Sequence, residues 1–139
     1  MLGGVEIPYA KGLKGWSDAD VLVHAIMDAL LGAAALGDIG KHFPPGQAQY
    51  KDISSLVLLA EVAVTLKEGG YGVGNIDATV VAEKPRLSEY TDEMRANISE
   101  ALDISIDKVS VKASSNNGLG HIGQGKGIAA YAVALIEKD

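Results

Sequence analysis

The chain has 139 residues, 47% of them hydrophobic but only 5% aromatic, a formal net charge of −6 and zero cysteines. That length suits a single domain with a real core, and the acidic balance excludes the basic patch that a nucleic acid or an anionic membrane surface would need. The lack of cysteine removes disulfide frameworks and thiolate metal sites, and with no secretory signal in view a cytoplasmic protein that binds no nucleic acid and no membrane is expected.

Residues Met1 to Tyr9 alternate around Val5 and Ile7 and stop at Pro8, which reads as a short edge strand. After a Lys- and Gly-containing loop, Ser17 stands as an N-cap with Asp18 and Asp20 in the first turn, and a helix is expected to run to about Leu36 before Gly37 to Gly40 end it. That helix is apolar except for Asp20, His24 and Asp28, whose spacing of four places them on one face with Ser17. Such a seam suits a metal-ligating histidine held by an acid, a general base oriented by one, or a core histidine satisfied by its neighbours.

His42 to Gly46, with two adjacent prolines, reads as a rigid turn able to wall a pocket. A second helix is expected from Ile53 to Glu68, a β-branched strand from Val73 to Ala82, a break at Glu83 to Leu87, and a third helix from Ser88 to Leu102. Val109 to Ser115 and Ile128 to Ile136 read as strands flanking a glycine-rich segment from Asn116 to Gly127. This segment suits either an anion cradle built from backbone N–H groups or an ordinary hairpin, but not a P-loop, since a strand follows it instead of a helix. Lys84-Pro85-Arg86 at a strand end reads as a solvated rim or part of a site.

Together these elements make an α/β (α+β) fold, with a mixed β-sheet and helices on one face. Three helices cover only one side of such a sheet, so the other side calls for self-association.

Taken in order, Leu2 to Lys11, Ser17 to His24, Asp28 to Gly40, Phe43-Pro44, Gly74-Asn75, Val111 to Ala113 and Gly123 to Ala134 resemble the 2-C-methyl-D-erythritol 2,4-cyclodiphosphate synthase family of the non-mevalonate isoprenoid pathway. The resemblance covers residues 1–139 as one domain. It implies a trimeric β-prism-like assembly with sites between subunits, and a lyase reaction that converts 4-diphosphocytidyl-2-C-methyl-D-erythritol 2-phosphate to the 2,4-cyclodiphosphate with release of CMP. It also implies Zn2+ with His24 as a ligand, and a second ion, Mg2+ or Mn2+.

For substrate contacts it implies Ser17, Asp38 and Gly40, then Phe43, Pro44, Pro45, Gly46 and Gln47 as a further substrate loop. Ala82, Lys84, Pro85, Arg86, Leu87 and Ser88 match the cytidine pocket, and Ser114 and Ser115 match threonines on the diphosphate, Ser115 as the catalytic stabiliser of the transition state. Asn117, His121 and Gln124 fall at the substrate site in the glycine-rich segment. The chain departs from the family where Trp16 replaces a catalytic histidine, where Asn117 replaces an acidic metal ligand, and where His121, Gln124 and Lys126 replace an aromatic, an arginine and a glutamate. The strand with the Asp-x-His ligands of the family would lie before Met1. These departures set a second expectation beside the enzyme, a non-catalytic trimer that binds cytidine nucleotides.

Overall fold

The computed structural model describes residues 1–7, 20–50, 53–83, 86–123 and 127–139. Among these residues five α-helices and three strands follow in chain order: α1 (Val21–Ala33), α2 (Ile39–His42), α3 (Ser55–Glu68), β1 (Tyr71–Val81), α4 (Thr91–Leu102), β2 (Val109–Ser114), α5 (Gly120–Gly123) and β3 (Ala129–Lys138). The strands form one mixed sheet of order β2-β1-β3. β1 runs parallel to β2, with Val81 opposite Ser114, and antiparallel to β3, with Val81 opposite Ala129.

α1 is the centre of the core. Leu22, Val23, Ile26, Met27, Leu30 and Leu31 are all buried, and side chains of this size contribute about 1.5–3 kcal/mol each when fully removed from water. They share that core with Leu59, Val62 and Leu66 of α3, Met94 and Ile98 of α4, and Ile76, Ala78 and Val80 of β1. The two-residue period of β1 thus turns its even positions toward the helices. Its odd positions Asn75, Asp77 and Thr79 lie across from Leu135, Val133 and Tyr131 of β3. On that open face Val133 is 73% exposed and Tyr131 66%, and Lys112 of β2 pairs with Asp77 at 3.0 Å.

Among the described residues 1–7, the edge strand expected at Met1 to Tyr9 does not form. Leu2 and Val5 instead exchange backbone hydrogen bonds with each other at 2.8 and 2.9 Å, closing a tight turn over Gly3 and Gly4. Both glycines have positive φ (56° and 76°). A Cβ on Gly3 would also stand 2.6 Å from Met94 Cγ, so side chains are excluded there on two counts. Pro8 and Tyr9 lie outside the described residues.

The start of α1 also differs from the expected one. Asp20 is its N-cap, accepting from the Val23 amide at 3.0 Å, so the helix begins three residues later than a Ser17 cap would set. Ser17 and Asp18 themselves lie outside the described residues. The reason for the shift is tertiary: the same carboxylate accepts from the amides of Gly3 at 2.9 Å and Gly4 at 2.7 Å. At the other end α1 stops at Ala33 rather than near Leu36, because Ala35 turns left-handed (φ 57°) and the Leu36 amide folds back onto the Leu31 carbonyl. α4 begins at Thr91 instead of Ser88, since Leu87 is drawn into the core and residues 88–90 are used in the turn.

Asp20 is fully buried, and among the described residues its donors are the backbone amides of Gly3, Gly4 and Val23. Substituting Asp20→Ala is expected to cost about 3 kcal/mol, the sum of a lost cap, one stranded buried donor and one part-buried donor. Urea unfolding of the variant against the parent chain measures this loss. A change below about 1 kcal/mol would show that the N-terminal turn does not depend on this carboxylate.

Candidate functional site

Parallel pairing brings the ends of β1 and β2 out on the same edge of the sheet. The Ala82 amide adds one more bond to the ladder, donating to the Ser114 carbonyl at 3.0 Å, and beyond it the two segments separate. Between them lies an open cleft of about 300 Å³, lined by Ala82, Glu83, Arg86, Leu87, Ser88, Ala113, Ser114 and Ser115. The crevice beyond the carboxyl ends of parallel strands is where α/β sheets receive ligands. Described residues of two segments that the sequence marked separately, Ala82 to Ser88 and Ser114-Ser115, therefore line one cleft. Lys84 and Pro85, within the first segment, lie outside the described residues.

The cleft combines an apolar floor of Ala82 and Leu87 with Arg86 and the hydroxyls of Ser88, Ser114 and Ser115 at its rim. Such a mixture suits a flat ring carrying a phosphorylated tail. The glycine-rich segment that leaves β2 turns at Asn117 and Gly118, both with positive φ (53° and 73°). Ser115 Oγ accepts from the Asn117 amide at 3.2 Å and contacts Asn117 Oδ1 at 3.4 Å, so both residues are held in a local hydroxyl turn. His121 is exposed on the one-turn helix α5, where sequence periodicity had shown only a loop, and Gln124 and Lys126 lie outside the described residues.

Glu83 falls inside the span matched to the cytidine pocket, but sequence reasoning gave it no role of its own. Its Oε2 accepts from the Asn116 amide and its Oε1 from the Gly118 amide, each at 3.0 Å. The only signal available was its place beside a strand break, which carries no hint of a partner more than thirty residues away.

The seam along α1 forms a second cluster. His24 Nε2 lies 3.2 Å from Oγ of the buried Ser55 at the start of α3. Asp28 Oδ1 accepts from the Ile39 amide at 2.9 Å, and Asp38 caps α2 by accepting from the Lys41 amide at 2.9 Å. His42 Nε2 reaches the Leu36 carbonyl at 2.8 Å, and the Phe43 ring meets Tyr50 edge to face with centroids 5.5 Å apart. Asp38, Gly40 and the turn from Phe43 to Gln47 therefore sit by this seam, and none of them is among the described residues lining the first cleft. Within one chain the cleft and the seam are separate clusters. Trp16, like Ser17, lies outside the described residues.

The metal expectation meets only part of its requirement. Among the described residues no three His, Cys, Asp or Glu side chains converge on one point. His24 alone stands as a candidate zinc ligand, and Asn117 offers a neutral amide oxygen where a divalent ion favours charge. The described residues do not fit a complete site for either ion.

Residues 1–137 match the sequence profile of the YgbB family. A 2-C-methyl-D-erythritol 2,4-cyclodiphosphate synthase from Chlorobium phaeobacteroides is 56% identical over 138 residues, covering 99% of this chain and 87% of that protein. Among solved structures, the bifunctional IspDF from Campylobacter jejuni superposes with a TM-score of 0.94 at 37% identity, over 100% of this chain but only 38% of the longer protein. The Plasmodium falciparum IspF in its CDP complex gives a TM-score of 0.83 at 32% identity, over 99% of this chain and 83% of that one.

Asp28 gives the seam a direct test. Removing its side chain in Asp28→Ala takes an exposed charge-assisted bond from the Ile39 amide and should loosen the Asp38 turn by about 0.5–1 kcal/mol. Amide exchange at Ile39 is expected to quicken about two- to fivefold while exchange in β1 stays unchanged. Unaltered exchange at Ile39 would mean that the turn is held without Asp28.

Proposed function

The chain belongs to the YgbB family, and from that membership we propose that it converts 4-diphosphocytidyl-2-C-methyl-D-erythritol 2-phosphate to 2-C-methyl-D-erythritol 2,4-cyclodiphosphate and CMP. The observation that carries this reading is the cleft at the ends of β1 and β2. It joins the segment matched to cytidine with the two hydroxyls matched to the diphosphate. The Plasmodium falciparum relative, described as a CDP complex, supports a cytidine diphosphate as the ligand class.

In this reaction an oxygen of the 2-phosphate attacks the β-phosphorus while the bond to the bridging oxygen of CMP breaks, and the eight-membered cyclic diphosphate closes. The step forms one P–O bond and breaks another, so no oxidant or reductant is consumed. What the protein contributes is in-line positioning and stabilisation of the charge on the transferring phosphoryl group. Ala82 and Leu87 bind the base, Arg86 and Ser114 hold the diphosphate, and the Ser115 hydroxyl donates to a phosphoryl oxygen as charge gathers there. The Asp38 carboxylate and the Phe43 to Gln47 turn belong to the methylerythritol end of the substrate. Zinc, with His24 as one ligand, and magnesium or manganese are the ions this reading expects, but no step is assigned to either.

The separation of the cleft from the α1 seam and the uncovered sheet face support a homotrimer. Tyr131, Val133 and Leu135 form an apolar stripe along β3 that a single chain leaves in water. Packing three such faces together would cover it and set the cleft of one copy beside the seam of the next. A cytoplasmic location fits this reading, and among the described residues no helix is long and apolar enough to cross a membrane.

Turnover of the authentic substrate, followed as CMP release with zinc and magnesium supplied, is expected for the parent chain. Ser115→Ala should lower that rate roughly tenfold to a hundredfold with little change in folding. Nucleotide binding with no CMP released would overturn the catalytic reading. Light scattering should give a trimer for the parent chain, and Val133→Asp, which buries a charge in the proposed interface, should yield smaller species. A monomeric parent chain would refute the assembly.

A further inference from the structure

We propose that Glu83 is a positioning residue whose carboxylate clamps the Asn116–Gly118 turn beside the cleft, so that the Ser114 and Ser115 hydroxyls stand ready for a phosphorylated ligand. Residues 112–120 are all exposed, so no core contact fixes the turn. Its remaining bonds are local: Asn117 to Ser115, the Asn116 side chain to the Leu119 carbonyl, and the Leu119 amide back to Asn116. Among the described residues, the long-range hydrogen bonds to residues 115–120 are the two from Glu83, one to each side of the left-handed Asn117.

Two amides converging on one carboxylate make an anion-binding concavity. Glu83 fills it from the wall of the cleft, and this has two consequences. The turn is tied to the residue that follows the end of β1. The negative charge of Glu83 is also spent on the backbone donors, where it offsets the repulsion it would otherwise exert on a diphosphate entering beside it. A glutamine can accept only one of the two bonds and an alanine neither, so the series Glu, Gln, Ala grades the clamp without touching the hydroxyls.

The ligand part of this inference rests on the nucleotide reading above, and the experiment separates the two. Amide exchange at Asn116 and Gly118 is measured for the parent chain, E83Q and E83A, together with CDP affinity by calorimetry. E83A is expected to speed exchange at both amides about tenfold and to raise the CDP dissociation constant by a similar factor. E83Q should fall between the parent and E83A, and exchange at Ile76 and Val80 in β1 should be unchanged in both. Parental exchange rates at Asn116 and Gly118 in E83A overturn the clamp, and a loosened turn with parental CDP affinity overturns its role toward the ligand. Faster exchange throughout β1 would show a general structural role and also overturn the proposal. If E83A does not fold, the same readings on E83Q decide the matter. A parent chain that binds no CDP refutes the nucleotide reading and the ligand role with it, while exchange at the two amides still decides the clamp.

Discussion

The parallel pairing of β1 with β2 is the constraint on which the rest of the structure depends. Parallel neighbours require a crossover, and α4 supplies it, so both strands end on the same edge of the sheet. Had the pair been antiparallel, the segment after Val81 would have left the sheet beside the start of β2, with Arg86 and Ser115 at opposite ends. The order β2-β1-β3 adds a second requirement. To travel from the end of β2 to the start of β3, opposite Val81, the chain must pass across the end of β1. That path runs directly over Glu83, which is why a carboxylate there meets the amides of Asn116 and Gly118. Glycines suit the crossing for a steric reason: a Cβ on Gly123 would collide with the backbone of Gly118.

On the other side of the molecule one helix organises three separate segments. The polar residues of α1 and its cap each take a different partner: Asp20 the N-terminal turn, His24 the start of α3, and Asp28 the approach to α2. The apolar positions of the same helix supply the centre of the core. Charges along a mostly buried helix are tolerable because backbone amides meet the carboxylates, and the best-satisfied of them, Asp20, is also the deepest. The seam thus places Asp38 and the Phe43 turn as a consequence of folding α1, before any ligand arrives.

Periodicity and turn chemistry made the three long helices and the three strands readable to within a few residues, and counting helices against sheet width already implied an uncovered face. The failures share a physical cause. Alternation at Val5 and Ile7 is a local signal, whereas the Gly3-Gly4 turn exists because a buried carboxylate seventeen residues away accepts its amides. Ser17 carried the right chemistry for a cap, but Asp20 serves two structures at once and so decides where the helix begins. The four-residue helices α2 and α5 are too short to show a period at all. In the site, residue types that bear ligand chemistry were recognisable at Arg86, Ser114 and Ser115. Glu83 was not, because its role is to bind backbone, and backbone donors leave no mark in a sequence.

The open sheet face carries more than an apolar stripe. Beside Tyr131, Val133 and Leu135 runs a polar row, Asn75, Asp77 and Thr79, with Lys112 next to it. A face meant only to be buried blindly would need no such row, because each charge brought out of water costs free energy unless it is met. The Asp77–Lys112 pair meets that cost within the chain, at 3.0 Å, and leaves a neutral patch rather than two loose charges. In the proposed trimer, apolar contact along β3 supplies the driving force, while the polar row restricts how the faces can align. The requirement for alignment is strict, since a cleft at the end of β1 and a seam beside α1 make one site only if neighbouring copies meet in a single register. A sheet face that mixes one apolar strand with one polar strand favours such a register more strongly than a uniformly greasy surface would.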